Sequence, residues 1–308
     1  MCMEISVVVP VYGCPQAVDP LCVRLDNCLK KLTNDYEIIL VNDHCPRGSW
    51  DEIKKVCEKN HNIVGIDLSR NFGQQKAIVA GLDYSSGNYI VVMDCDLQDC
   101  PEDIEKLYST IKNTDYDLVF AKDKKQANKK LTSRVFYNLY SKIMKVDYDT
   151  NLSNFGIYKR VVIDSLISMR ESHRGFTSYI KWMGFKQGSV EIERNDRFEG
   201  KSGYSFKKRM NSALDILYSQ TDLPIKMISS LGYILLFLSV ITLIATLIPC
   251  LILKSYYVMM ILTIVFALML VLGICLIAIG VVGNYVVRIY AESKHRPLYF
   301  VREVINKQ

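Results

Sequence analysis

Two long stretches without charged residues, near the end of the chain, most strongly constrain its fold. Between Lys226 and Arg288 the only charged residue is Lys254. Each uncharged stretch is longer than the roughly 20 apolar residues that cross a bilayer. A buried helix of a soluble core is the alternative, but two such stretches in tandem are rare in soluble proteins. We therefore predict two transmembrane helices, at about 227–249 and 257–281.

The charges around the two predicted spans indicate their orientation. The loop between them holds only Lys254, whereas basic residues lie on both outer flanks: Lys207, Lys208, Arg209, Lys226, Arg288, Lys294 and Arg296. Positive charge collects on the cytoplasmic side of membrane proteins. The opening sequence MCMEISVVVPVYG lacks the basic n-region of a signal peptide. We therefore expect a hairpin of two spans with both ends of the chain in the cytoplasm.

Residues 5–120 alternate between strand-like and helix-like segments. The predicted strands are continuously apolar and read ISVVVPVY, YEIILVND, NIVGIDL, YIVVMD and YDLVFA. Segments with helical spacing separate them, one of which starts with Ser49 as a predicted N-cap and Glu52 completing a capping box. This alternation is typical of a mainly parallel sheet covered by helices on both faces.

Polar residues follow the first four predicted strands. They are Pro10 and Tyr12, Asn42 and Asp43, Ser69 to Asn71, and Asp94 and Asp96. Ordinary loop polarity explains any one of these groups. Ligands of parallel sheets, however, bind beyond the carboxyl ends of the strands. Four polar strand ends in a row therefore predict a binding cleft.

The pair Asp94 and Asp96 is the strongest chemical signal in this cleft. Two carboxylates in a D-x-D pattern at a strand end repel each other unless a cation or proton lies between them. Mg²⁺ or Mn²⁺ takes one or two carboxylates and completes its shell with water and substrate phosphates. A solvated turn is the alternative. The position after a buried strand, with Gln98 and Asp99 behind it, favours a metal site that holds a diphosphate.

Other patterns exclude several classes of function. The chain has no P-loop, no G-x-G-x-x-G after a strand and no G-x-S-x-G elbow. Its ten cysteines form no C-x-x-C pair, so we expect reduced and mostly buried thiols. Basic residues crowd 122–134, and a segment at 205–226 is amphipathic and basic at its start. Beside a membrane such runs suit a lipid surface or a phosphate group.

Several segments together resemble the inverting family 2 glycosyltransferases of the GT-A fold. They are VVVPVYG, EIILVND, PEDI and LSRNFGQQKAIVAGLDYSSGNYIVVMDCDLQD. ERNDRFEGKSGYSFKK, the two spans and GNYVVRIYAESKHRPLYFV look like the bacterial polyprenyl-phosphate glycosyltransferases, which resemble dolichol-phosphate mannose synthase. The resemblance covers nearly the whole chain. It implies a catalytic domain at 1–204, an interface helix at 205–226, a transmembrane hairpin at 227–283 and a juxtamembrane tail at 284–308.

The resemblance implies a role for individual residues. The nucleotide-sugar would be bound by Pro10, Tyr12, Asp43, Arg70, Gln75, Asp94 and Asp96. The metal would be held by Asp94, Asp96 and Gln98. The lipid phosphate would be bound by Lys122, Arg134, Arg194, Arg197 and Lys201. The catalytic set would be Asp94, Asp96, Asn154 and Arg197.

Three positions depart from the family pattern. Asn154 stands where an aspartate is often assigned as a catalytic carboxylate, Cys100 where proline is common, and Asn284 where glutamate is common. An amide cannot act as a base. A lipid phosphate, however, is already anionic at neutral pH and needs no deprotonation before it attacks. Asn154 would then only donate a hydrogen bond to the sugar.

The resemblance implies a membrane enzyme that moves a sugar from a nucleotide-diphospho-sugar to polyprenyl phosphate with Mg²⁺ or Mn²⁺. UDP-glucose or another UDP-hexose is the expected donor and the cytoplasmic membrane the expected site. GDP-mannose, as in dolichol-phosphate mannose synthase, is one alternative. A catalytically idle nucleotide-sugar-binding membrane protein is the other. No nucleic acid is expected as a partner, and related enzymes associate through their membrane helices.

Overall fold

In the computed structural model, the described residues are 3–124, 152–169, 176, 180, 182–195, 237, 256–294 and 296–307. They belong to two compact units. The first comprises Met1–Gly203 together with Pro297–Gln308, and the second comprises Tyr204–Arg296.

The first unit alternates strands and helices as predicted. Its strands are β1 (Ile5–Val11), β2 (Tyr36–Asn42), β3 (Ile63–Leu68), β4 (Tyr89–Val92), β5 (Leu118–Asp123), β6 (Leu152–Lys159), β7 (Gln187–Ile192) and β8 (Val301–Ile305). Its helices are α1 (Pro15–Leu32), α2 (Ser49–Lys59), α3 (Gln74–Tyr84), α4 (Ile104–Asn113, after a 3₁₀ turn at Pro101–Asp103) and α5 (Arg160–Met169).

The eight strands form one sheet in the order β7-β5-β6-β4-β1-β2-β3-β8. Strand β1 lies at its centre and pairs in parallel with both β2 and β4. Strands β6 and β8 run antiparallel to their neighbours. The prediction of a mainly parallel sheet is therefore confirmed, with two reversed strands that the sequence pattern did not indicate.

Helices cover both faces of the sheet, as the continuously apolar strands predict. Alternate residues of β1 point to opposite faces: Val7 and Val9 lie in the core beneath α1, α2 and α4, and Val8 lies in the core beneath α3 and α5. All seven residues of β1 are buried. Burial of both faces explains why the strand reads as an unbroken apolar run.

The predicted capping box at the start of α2 is wrong. Gly48, in a left-handed conformation, is the N-cap, and no side-chain hydrogen bond caps the helix. Ser49 is instead fully buried as the first helical residue. Glu52 pairs with Lys55 on the surface of the helix. Glycine suits the N-cap here because it adopts a positive φ without steric cost.

The last residues of the chain belong to the sheet. The predicted tail at 284–308 differs from the observed division, because β8 pairs antiparallel with β3 at the edge of the sheet. Side chains fasten it further: Asn306 donates to the Ile63 carbonyl at 3.0 Å, and Trp50 donates to Glu303 at 3.2 Å. Residues 297–308 are therefore part of the first unit and complete its sheet.

The second unit contains helix α6 (Tyr256–Ser293), which is 38 residues long. The predicted span 257–281 lies within it. The predicted span 227–249 and the predicted interface helix 205–226 lie outside the described residues, apart from Phe237. Counted over the described residues alone, no helix is long and apolar enough to cross a membrane. The transmembrane hairpin stays a prediction.

Helix α3 packs so closely on the sheet that one of its positions tolerates only glycine. A Cβ added at Gly81 would collide with Cγ1 of Val8 and lie 3.0 Å from Cγ2 of Val41. Gly81→Ala should lower the free energy of unfolding by about 1–3 kcal/mol, the usual cost of overpacking. Denaturation followed by tryptophan fluorescence would measure it, since Trp50 and Trp182 both lie in this unit.

A double-mutant cycle with Val8→Ala provides the control. Truncation of Val8 removes the atom with which the new Cβ collides. The double variant should therefore be less destabilised than the sum of the two single variants. Strict additivity would contradict this account of the packing.

Candidate active site

The carboxyl ends of β1, β2, β3 and β4 meet at one edge of the sheet, because the four strands are parallel neighbours. Tyr12, Asp43, Ser69 and Met93 directly follow these strands. Pro10 is buried within β1, opposite Val41, whereas the Tyr12 side chain is 54 % exposed. The predicted grouping of polar strand ends is therefore observed.

Asp94 lies just beyond β4 and is held by helix α3. The side-chain amide of Gln74, the first residue of α3, donates to Asp94 Oδ1 at 2.7 Å. Burial and the nearby charges of Asp99 and Asp96 raise the pKa of Asp94 to about 6, although Arg194 and Gln74 oppose the shift. This carboxylate thus lies in an environment with an excess of negative charge.

Asp96 shapes the turn that follows. Its carboxylate accepts the backbone N–H of Gln98 at 3.2 Å, across Leu97, which has a positive φ of 57°. Leu97 is buried, so core packing holds this uncommon backbone conformation. The Asp96 and Gln98 side chains are both partly exposed at the edge of the sheet.

A buried ion pair fastens this turn to the end of β7. Asp99 is fully buried, and its carboxylate lies 2.8 Å from Nε of Arg194 and accepts a hydrogen bond from Nη2 at 3.1 Å. Next to it, the Asn195 N–H donates to the Gln98 carbonyl at 2.9 Å. The predicted lipid-phosphate ligand Arg194 is therefore bound to Asp99, a residue absent from the predicted site.

Asp43 organises the loop that follows β3. Its carboxylate accepts the backbone N–H groups of Phe72 at 2.7 Å and Gly73 at 2.9 Å. Burial raises the pKa of Asp43, and these two hydrogen bonds only partly oppose the shift. Arg70 lies in the same loop, with its guanidinium 4.7 Å from the centre of the Phe72 ring. Asp43 thus contacts the loop backbone, and Arg70 lies at the loop surface.

Gln75 does not share the contact made by its neighbour. Its side-chain oxygen accepts the backbone N–H of Phe176 at 2.6 Å, whereas Gln74 reaches Asp94. Successive helical residues face about 100° apart, so only one of two adjacent glutamines can face the strand end. The sequence GQQK contains the required amide, but helix direction decides which residue supplies it.

Asn154 lies on β6, the antiparallel neighbour of β4. The observed pairing ends with Val92 opposite Gly156. Continued by two residues, that register brings Asn154 opposite Asp94. Lys122 pairs with Leu152 on the far side of β6. The predicted residues Arg134, Arg197 and Lys201 lie outside the described residues.

A disulfide bond joins Cys14 to Cys95, the residue between the two aspartates. The prediction of reduced cysteines is therefore wrong for this pair, because the fold brings the ends of β1 and β4 together. The prediction holds for Cys22, Cys28 and Cys57, which are free and buried. Cys45 is free and partly exposed, and its sulfur accepts the N–H of Gly13 at 3.1 Å.

Comparison with known proteins decides the family. Residues 6–164 match the family model described as Glycosyl transferase family 2. The chain belongs to this family. This glycosyltransferase is 34 % identical to the uncharacterized glycosyltransferase YkcC of Bacillus subtilis strain 168, over 98 % of this chain and 94 % of the relative. The family that the sequence motifs indicate is thus confirmed.

Two further full-length relatives carry more specific names. One is the undecaprenyl-phosphate 4-deoxy-4-formamido-L-arabinose transferase of Proteus mirabilis, 29 % identical over 98 % of this chain and 94 % of the relative. The other is the prophage bactoprenol glucosyl transferase homolog of Escherichia coli K12, 28 % identical over 98 % and 99 %. The resemblance to polyprenyl-phosphate glycosyltransferases is thus confirmed.

A solved structure shows the same fold. Glucosyl-3-phosphoglycerate synthase from Mycobacterium tuberculosis, crystallised with Mn²⁺, UDP and phosphoglyceric acid, superimposes with a TM-score of 0.50. The match covers 70 % of this glycosyltransferase and 76 % of that chain at 14 % identity. It supports the GT-A architecture of the sheet described above.

The carboxylates at the candidate site of the glycosyltransferase fit a metal ion that a substrate also helps to bind. In the described part of the chain, no three His, Cys, Asp or Glu side chains are grouped so that they could hold an ion. Asp94 and Asp96 offer two carboxylates in a negatively charged environment. Mg²⁺ and Mn²⁺ bind through one or two carboxylates when substrate phosphates supply further ligands. The two aspartates fit this mode.

The Asp99–Arg194 pair should contribute much more to the free energy of unfolding than an ion pair on the surface. Arg194→Ala leaves the buried Asp99 carboxylate without its cation and should lower the free energy of unfolding by about 3–5 kcal/mol. The matched control is Arg24→Ala, which breaks the exposed, two-bond pair with Glu102 and should cost about 0–1 kcal/mol. Chemical denaturation would measure the free energy of unfolding of both variants. Equal losses in the two variants would contradict the burial of Asp99.

Proposed function

We propose that this glycosyltransferase transfers a hexose from a nucleotide-diphospho-sugar to polyprenyl phosphate, with inversion at the anomeric carbon. UDP-hexose, UDP-glucose above all, is the proposed donor. The observation that carries the proposal is the acidic turn (Asp94–Asp99) at the carboxyl edge of a family 2 sheet. The names of the full-length relatives in Proteus mirabilis and Escherichia coli support polyprenyl phosphate as the acceptor.

Asp94 and Asp96 are proposed to hold Mg²⁺ or Mn²⁺ together with the donor diphosphate, and Gln98 to complete the shell. The ion, when bound, neutralises the negative charge that develops on the leaving diphosphate. The contact of Gln74 with Asp94 orients this carboxylate, and the Asp99–Arg194 pair fixes the turn. These contacts prepare the site before the donor arrives, which lowers the ordering cost of binding.

The acceptor is proposed to attack without a base from the protein. An oxygen of the lipid phosphate forms the new bond to the anomeric carbon while the bond to the diphosphate breaks, and the nucleoside diphosphate leaves. A phosphate monoester is already ionised at neutral pH. The register of β6 supports a place for Asn154 near the donor, where its amide would hydrogen-bond the sugar.

Basic residues outside the acidic turn are proposed to bind the lipid phosphate. They are Lys122, Arg134, Arg197 and Lys201. Arg194, which the sequence had assigned to the same group, is proposed to act through Asp99 instead. The amphipathic segment 205–226 and the spans 227–249 and 257–281 are proposed to hold the enzyme on the cytoplasmic membrane, with both ends in the cytoplasm.

The metal assignment predicts the effect of Asp96→Asn. This change removes one carboxylate but preserves the shape of the side chain, so the fold should remain. Turnover should fall about a hundredfold or more, because metal stabilisation of a leaving group contributes several kcal/mol. The assay uses radiolabelled nucleotide sugars with polyprenyl phosphate and extraction of the lipid product. It should include UDP-glucose, a UDP-N-acetylhexosamine and GDP-mannose.

The control for this assay is Asp51→Asn, the same chemical change at an exposed position on α2. It should leave turnover unchanged. Full activity of the Asp96→Asn variant, or of the wild type in a chelator, would contradict the metal site. If the wild type binds donor yet transfers no sugar to the lipid from any of the nucleotide sugars, it is an idle nucleotide-sugar-binding protein.

The role of Asn154 is tested by restoring the carboxylate that is usual in the family. If the acceptor phosphate is already ionised, Asn154→Asp should change turnover less than tenfold. Asn154→Ala should cost about 1–3 kcal/mol in transition-state stabilisation, as expected for a lost hydrogen bond. Both effects are read from kcat/KM. A hundredfold rise in the Asn154→Asp variant would show that a base is needed and that this chain has lost it.

A further inference from the structure

The Cys14–Cys95 disulfide joins two segments that meet at the candidate donor site. Cys95 is the central residue of the D-x-D pattern, between Asp94 and Asp96. Cys14 immediately precedes helix α1. Both cysteines are almost fully buried, with 3 % and 7 % of their surfaces exposed. Within the described part of the chain, no other disulfide reaches the acidic turn.

On the Cys95 side, the chain leaves the sheet and enters the acidic turn. The ladder of β4 ends at Val92, and the last hydrogen bond to β1 runs from the Met93 N–H to the Val8 carbonyl at 3.2 Å. Beyond Met93, the side-chain bond from Gln74 to Asp94, the burial of Leu97 and the Asp99–Arg194 pair hold the turn, and the disulfide adds a covalent link. The conformation of this turn therefore depends on side-chain contacts and on the disulfide.

On the Cys14 side, the chain is firmly anchored. The Asp43 N–H donates to the Val11 carbonyl at 3.1 Å, and the Gly13 N–H donates to the Cys45 sulfur at 3.1 Å. Helix α1 then buries Ala17 and Val18 completely in the core. The disulfide thus ties the acidic turn, which lies beyond the β4 ladder, to a rigid element.

We infer that the Cys14–Cys95 disulfide is a positioning element of the donor site, so that donor and metal binding depend on the redox state of the protein. In the oxidised form, Asp94 and Asp96 are held in place before the ligand binds. In the reduced form, the turn samples more conformations, and binding must order it. The inference rests on the proposed function, because it assigns a consequence to the same site.

The redox step is a thiol–disulfide exchange with a dithiol. One thiolate of the dithiol attacks a sulfur of the pair, the Cys14–Cys95 bond breaks, and a mixed disulfide forms. The second thiol of the dithiol then resolves it. Two electrons and two protons pass to the cysteines, which become thiols, and the dithiol becomes a disulfide.

The first experiment establishes the bond itself. The purified full chain is denatured and alkylated with and without prior treatment with dithiothreitol, and the products are weighed by mass spectrometry. Of the ten cysteines, two fewer should be alkylated in the untreated sample, and peptide mapping should identify them as Cys14 and Cys95. Alkylation of all ten without reductant would overturn the inference.

The second experiment measures what the bond does. Hydrogen–deuterium exchange of peptides covering 93–100 should be at least about tenfold faster after reduction and removal of the reductant. Mn²⁺ and UDP are the probes for the site, and the dissociation constant of UDP in the presence of Mn²⁺ should rise about 5- to 20-fold. For turnover, KM for the donor should rise by a similar factor, with a smaller change in kcat.

Variants separate this effect from general damage. The double variant C14S/C95S should match the reduced wild type in exchange and affinity, and should not respond to dithiothreitol. The matched control is Cys275→Ser, an exposed thiol on α6, which should respond like the wild type. Unchanged exchange on reduction, or a serine variant with the affinity of the oxidised wild type, would overturn the inference.

The outcomes also distinguish this inference from the proposed function. If neither redox state binds UDP with Mn²⁺ and neither transfers a hexose, the proposed function fails. The exchange rates of 93–100 still decide whether the disulfide positions the turn. If donor binding and transfer are observed but are indifferent to reduction, the proposed function stands and the disulfide inference fails.

Discussion

The parallel pairing of β1 with β2 on one side and β4 on the other determines the rest of this molecule. It aligns the carboxyl ends of these strands, so that Asp43 beyond β2 and Asp94 beyond β4, on either side of β1, lie at the same edge. It also buries β1 on both faces, which requires helices above and below the sheet. The close approach of α3 at Gly81 follows from the same packing, and α3 in turn carries Gln74 to Asp94.

The acidic turn shows how a folded protein keeps negative charge together. Asp99 has a cation within 3 Å and is fully buried, so its charge is matched inside the protein. Asp94 accepts a hydrogen bond from the amide of Gln74, and its raised pKa reflects burial and the charges of Asp99 and Asp96. Negative charge is therefore neutralised at Asp99 but only partly at Asp94, where the nucleotide-sugar is proposed to bind.

The sequence predicts those parts of the structure that depend on local pattern. The apolar runs predicted β1 to β5. The polar residues that follow these runs predicted the edge of the sheet at which the candidate site lies. The predicted N-cap at Ser49 failed because Gly48 before it takes the left-handed conformation. Strand β6 was missed because its sequence LSNFGIYK has little apolar repetition. The basic segment that begins at Lys122 also lies between it and its partners β4 and β5 along the chain.

Contacts between distant segments could not be predicted at the level of single residues. The choice of Gln74 over Gln75 depends on where α3 begins, and the pairing of Asp99 with Arg194 spans 95 residues. The bond between Cys14 and Cys95 requires β1 and β4 to be neighbours, which spacing in the sequence does not reveal. In each case the residue types were visible, but their partners are set by the topology of the sheet.

The place of β8 in the sheet has a consequence for how the protein is made. The strand is encoded after α6, so the ribosome synthesises Val301–Ile305 when nearly all of the first unit has already emerged. Until then the outer edge of β3 has no partner, and an unpaired edge invites pairing with other chains. The nascent enzyme therefore passes through a stage with an open edge. Its sheet closes only when translation of the last strand is finished.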